Sequence, residues 1–137
     1  GGVTYNDVWG YTASDGSEYA ILGNSDSILV IDVSICSDPQ RVFGFAGGNS
    51  TIWRDFKTFG DYMYAVCDNC WEGLHIFDMS GLPTGNVTHV TQETSFFTKA
   101  HNIYIDTATQ KLYATGTNTV NEGLVILDLS VTPDVFP

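Results

Sequence analysis

Apolar and polar residues alternate along most of this chain in short runs rich in β-branched and aromatic side chains, each bounded by Gly, Asn, Asp or Ser. That period of two predicts half-buried β-strands, and no run has the wider spacing of an amphipathic helix. Four strands are expected near 6–13, 17–23, 27–34 and 40–46, with Ser14-Asp15-Gly16 and Asn24-Ser25-Asp26 as hairpin turns. A second set is expected near 54–59, 62–67, 73–80 and 86–93. The apolar run near 73–80 is the most continuous, as suits a strand buried on both faces.

The strands repeat as a group. Ser27-Ile28-Leu29-Val30-Ile31-Asp32-Val33-Ser34, Gly73-Leu74-His75-Ile76-Phe77-Asp78-Met79-Ser80 and Gly123-Leu124-Val125-Ile126-Leu127-Asp128-Leu129-Ser130 all end in Asp, an apolar residue and Ser. Upstream of each lies a Tyr-Ala pair, Tyr19-Ala20, Tyr64-Ala65 and Tyr113-Ala114, and before it an opening strand at Asn6-Asp7, Arg54-Asp55 and His101-Asn102. From Asp32 to Asp78 is 46 residues and from Asp78 to Asp128 is 50, the period of a four-stranded propeller blade. The expected fold is therefore all-β, a β-propeller of four-stranded antiparallel blades: blade 1 over 5–50, blade 2 over 51–97 and a partial blade 3 over 98–137.

Blade 3 lacks a fourth strand, because two of the seven residues after Ser130 are prolines, Pro133 and Pro137. The residues before Asn6 are too few to supply that strand. Three blades are fewer than the roughly four to eight that close a ring, so the ring is expected to be incomplete on its own. Its expected partners are the remaining blades of a longer parent chain or further copies of itself, as a homo-oligomer or filament. The chain opens Gly1-Gly2-Val3 without Met, which reads as a processed or partial chain.

The repeated segments resemble the LVIVD-repeat propellers of bacterial and archaeal surface proteins, particularly the group called choice-of-anchor B. The carriers are Leu29-Val30-Ile31-Asp32, Leu74-His75-Ile76-Phe77-Asp78 and Leu124-Val125-Ile126-Leu127-Asp128, with Tyr5-Asn6-Asp7-Val8-Trp9-Gly10-Tyr11 and Ala100-His101-Asn102-Ile103-Tyr104-Ile105-Asp106. The resemblance covers nearly the whole chain and implies a secreted or cell-surface propeller. It carries no established reaction, and so no catalytic residues.

Charge narrows the partners. A net charge of -11 repels phosphate backbones and anionic membrane surfaces, which excludes nucleic acid as a natural partner and suits cations. No stretch has the roughly 20 continuous apolar residues that insert in a bilayer. If each opening strand lines a central channel, one face of the propeller gathers Asp7, Arg54, Asp55, His101 and Asn102 with the turn acids Asp26, Glu72 and Glu122. Oxygen ligands converging from several blades suit Ca²⁺, so this funnel is the candidate ligand or cation site. A glycan-active enzyme would use Asp7, Asp55 and His101 there as acid and base.

The recurring Asp32, Asp78 and Asp128 are expected to cap the turns that follow them. His75 and His89 fit no metal-ligand spacing and read as structural. Cys67-Asp68-Asn69-Cys70 has the spacing of redox and zinc motifs, yet no helix follows it and no second ligand pair accompanies it, so a local disulfide is expected. Cys36 is expected on the opposite propeller face, bonded to neither. Asn49 and Asn86 stand in N-x-Ser/Thr sequons and are the glycosylation candidates. The composite expectation is a non-catalytic extracellular or surface module acting in scaffolding, adhesion or assembly, with the glycan-active enzyme and the calcium-dependent binder as alternatives.

Overall fold

A computed structural model describes residues 2–119, 123–135 and 137. It is all-β, with eleven strands in three antiparallel sheets and no α-helix among the described residues. The first sheet is β1 (Tyr5–Thr12), β2 (Glu18–Asn24), β3 (Ser27–Asp32) and β4 (Gln40–Ala46), hydrogen-bonded in that order. The second is β5 (Arg54–Phe59), β6 (Tyr62–Cys67), β7 (Leu74–Asp78) and β8 (Thr88–Glu93). The third has three strands, β9 (Asn102–Asp106), β10 (Lys111–Thr115) and β11 (Leu124–Asp128), so the described residues show no fourth strand beside β11.

Strand ends differ from the sequence expectation where a turn takes over. Expected to reach residues 34 and 80, β3 and β7 stop at Asp32 and Asp78, because each aspartate turns its carboxylate onto the chain ahead. Ser34 N–H donates to Asp32 Oδ1 at 2.9 Å, Ser80 N–H to Asp78 Oδ1 at 2.8 Å, and Ser130 N–H to Asp128 Oδ1 at 2.7 Å. The capping role read from the repeat is the one these residues have. In β8 the start moves from 86 to Thr88, since a 3-10 turn, Leu82–Thr84, and a left-handed Gly85 precede it.

Packing between sheets follows one rule twice. Alternation puts Tyr19, Ile21, Ile28 and Val30 on one face of the first sheet, and they bury against Phe56, Met63, Ala65 and Phe77 of the second. The opposite face of the second sheet, with Tyr64, Val66, Leu74 and Ile76, buries against Ile103, Ile105, Leu112, Ala114 and Leu127 of the third. Residues in corresponding repeat positions thus meet corresponding partners. Each core side chain removed from water contributes about 1.5–3 kcal/mol, so these two layers hold the sheets together.

Candidate functional site

The described residues expected to line a funnel lie on or just before the opening strands β1, β5 and β9 and in the β2–β3 and β6–β7 turns. Asp7 and Asp55 hold equivalent positions and do equivalent things. Phe56 N–H donates to Asp7 Oδ2 at 3.1 Å, and Ile103 N–H donates to Asp55 Oδ2 at 2.6 Å, so each carboxylate clasps the backbone of the next sheet's opening strand. Asp55 is 4 % exposed and also receives Asn102 Nδ2 at 3.4 Å and Lys57 Nζ at 2.6 Å. Lys57 in turn lies 4.5 Å above the Trp9 ring. Burial, opposed by the Phe56 N–H and reinforced by the neighbouring Asp55 carboxylate, pushes the Asp7 carboxyl above its ordinary range.

Arg54, at the start of β5, is buried between two turns. Its Nε donates to the Asn24 carbonyl at 3.0 Å, and Asp26 and Glu72 both act on its charge, though burial is the larger influence and lowers its basicity. Glu72 reaches back to the β4–β5 connection, where Gly48 N–H donates to its Oε1 at 2.6 Å. Asp26 is exposed. Asp7, Asp55 and Asn102 therefore meet as one group, and Arg54, Asp26 and Glu72 as another.

His101 joins neither group. Its side chain is 53 % exposed, and Nδ1 lies 2.9 Å from Asp68 Oδ2, with Lys99 Nζ 3.3 Å from the other oxygen of that carboxylate. Glu122 lies outside the described residues. A ring of converging oxygen ligands is thus not what the described residues form: the single cluster with ligand atoms within 4.8 Å of one another is Cys67, Cys70 and Glu72.

Those cysteines are joined as a disulfide with Cα atoms 5.8 Å apart, as expected, and Cys36 is free and exposed in the β3–β4 connection. Asn49 and Asn86 are both exposed. Asn86 Nδ2 donates to Thr84 Oγ1 at 3.0 Å.

A second centre was not visible in the sequence pattern. His75 of β7 and His89 of β8 lie side by side, Nδ1 to Nε2 at 3.0 Å, under the rings of Phe45 and Phe77. On the far side of the ring, His75 Nε2 approaches Glu72 Oε2 at 3.4 Å. That approach lacks hydrogen-bonding geometry, and both atoms are buried with no partner. Searching for His-x-x-x-His misses this pair because strands bring residues together across a hairpin. The available signal is the β7–β8 register, which sets Phe77 opposite His89 and so puts His75 diagonally beside it.

The hydroxyls of the repeated tyrosines were equally hidden. Tyr19 donates to the Leu82 carbonyl at 2.8 Å, and Tyr64 meets Thr132 Oγ1 at 3.3 Å, each four residues past the recurring aspartate of the next sheet. Tyr113, the third of the series, stacks on exposed Tyr104 with ring centroids 6.3 Å apart.

Compared with family models, with curated proteins and with solved structures, the chain matches none. Function therefore rests on the geometry.

Proposed function

We propose that this chain is a run of β-propeller blades of the LVIVD-repeat type, acting outside the cell or at its surface as a non-catalytic scaffold and assembly module whose ring is completed by further blades. One observation carries the reading. The junction between sheets is built twice from the same parts: an opening-strand carboxylate on the next strand's N–H, and a tyrosine hydroxyl on the loop after the recurring aspartate. On the third sheet the same face carries Asn102, Tyr104, Tyr113, Leu124 and Ile126, and Tyr104 is 62 %, Leu124 55 % and Ile126 45 % exposed. An apolar face of that kind, continuous with two used ones, marks where another blade packs.

Asp7, Asp55 and Glu72, expected to serve a cation or an acid–base pair, each accept a backbone N–H, which favours scaffold over catalyst. The disulfide fits an oxidising compartment, as do the exposed sequon asparagines.

Hydroxyl-radical footprinting of the native protein tests the reading. Tyr104 should be protected nearly as well as Tyr64, and light scattering then tells whether the covering blade belongs to the same chain or to a second copy. Oxidation of Tyr104 at the rate of a free tyrosine sinks the proposal.

A further inference from the structure

We propose that the β6–β7 turn is a redox-gated metal site: once the Cys67–Cys70 disulfide is reduced, the two thiolates, the Glu72 carboxylate and His75 Nε2 bind one divalent ion of the zinc class. The sulfur atoms and a Glu72 oxygen already lie within 4.8 Å of one another. Trp71, between Cys70 and Glu72, is held in the left-handed region with φ 60, uncommon for a bulky residue, and this kink turns both ligands to one side. His75 lies outside that cluster, but its Nε2 sits 3.4 Å from Glu72 Oε2, and the two sulfurs, once released from each other, must swing towards it to complete the set.

Two of these atoms lack something. His75 is 5 % exposed, and neither its Nε2 nor Glu72 Oε2 has a hydrogen-bond partner, a costly state for buried polar atoms. When His75 Nδ1–H donates to His89 Nε2, the Nε2 lone pair faces a carboxylate lone pair, and a cation between them satisfies both. The surroundings are those of a ligand set: His89 Nε2, as acceptor, would hold the proton of His75 on Nδ1, and Gly48 N–H holds Glu72 Oε1, leaving Oε2 free.

Arg54 completes the electrostatics. Its Nη1 lies 3.7 Å from Cys70 Sγ and its Nη2 is buried without a partner, so a cation already waits beside the sulfur and favours thiolate over thiol. Two thiolates and Glu72 bring three negative charges and Arg54 one positive, leaving two that a divalent ion neutralises. Two sulfurs, an imidazole and one carboxylate select zinc-like ions over Ca²⁺ or Mg²⁺. All four ligands fall between residues 67 and 75, so the site does not depend on ring closure; in the oxidising compartment proposed above it forms only where a dithiol reductant reaches the disulfide.

The chemistry balances with a reductant. A dithiol delivers two electrons and two protons to the Cys67–Cys70 bond, giving two thiols and the dithiol's own disulfide. The ion then displaces both thiol protons.

Cobalt(II) titration of the whole chain in a Cys36→Ser background, after anaerobic reduction and removal of the reductant, reads the site. Expected are one equivalent bound, thiolate-to-cobalt charge transfer in the near ultraviolet, tetrahedral d–d bands, and displacement by zinc, with none of these before reduction. Glu72→Gln and His75→Gln should each weaken binding by about tenfold or more. Because His75 is buried, circular dichroism checks that variant's fold, and Glu72→Gln stands alone if it fails. Absence of charge transfer after reduction refutes the site, as does unchanged affinity in Glu72→Gln.

Discussion

At the scale of single residues, the side chains that tie neighbouring strands together are those whose loss should cost most. Asp55→Ala leaves the Ile103 N–H buried without its acceptor and Lys57 without its carboxylate partner. We expect a loss of about 1–3 kcal/mol in denaturant unfolding, with Asp55→Asn losing clearly less because its carbonyl still accepts. Asp7 behaves differently with pH. Its folded-state pKa is raised, so the native protein holds that proton more tightly than the unfolded chain, and stability falls as pH rises from the ordinary carboxylate range through the higher folded value. Asp7→Asn should remove this slope from the dependence of Tm on pH while keeping an acceptor for Phe56; an unchanged slope would show that another group produces it. Tyrosine ionisation gives a parallel check. Burial first, then the 2.9 Å bond to Asp61, pushes Tyr11 up to about 12, so an ultraviolet titration should show a phenol ionising well above the ordinary tyrosine range, and Tyr11→Phe should remove that step. What the sequence reveals at this scale is uneven. Asp32, Asp78 and Asp128 are readable as caps because their partners are two residues away, whereas Asp7 and Asp55 read as free ligands because their partners lie 49 and 48 residues on.

Among the elements, the strands and their order were legible because the pattern repeats and every neighbour in a sheet is the next strand in sequence. The contacts between sheets were not. Nothing local marks Tyr19 and Tyr64 as donors to Leu82 and Thr132, and only the stacking of one sheet on the next makes them so. Repetition turns this into a controlled experiment. Tyr19→Phe and Tyr64→Phe should each lower stability by about 1 kcal/mol, while Tyr113→Phe, whose hydroxyl has no partner among the described residues, should be nearly neutral in the isolated chain. Equal losses at all three positions would argue that the hydroxyls matter for some reason other than the junction. Gly73 shows a different constraint at the same level. At φ 71, with a Cβ set to overlap the Glu93 carbonyl, it closes the β6–β7 turn in a way that Ala cannot without moving β8.

For the molecule as a whole, stability is graded along the stack. The middle sheet is covered on both faces, with Met63, Tyr64, Leu74 and Ile76 each 0 % exposed, whereas β11 has one hydrogen-bonded neighbour and an open face. Hydrogen exchange should therefore be slowest in β6 and β7 and fastest, among the equivalent third strands β3, β7 and β11, in β11; protection of β11 matching β6 in the isolated chain would contradict this gradient. The junction that makes this stack also has a direction. Each of the stack's two junctions sets the tyrosine-bearing face of one sheet against the reverse face of the next, so a further junction of the same kind would join unlike faces. Copies joined through it add head to tail, and a two-fold axis arises only where the rotation between them is half a turn, so that both junctions close at once. Unless that rotation brings the last sheet onto the first in a closed ring, every addition leaves one free end of each kind.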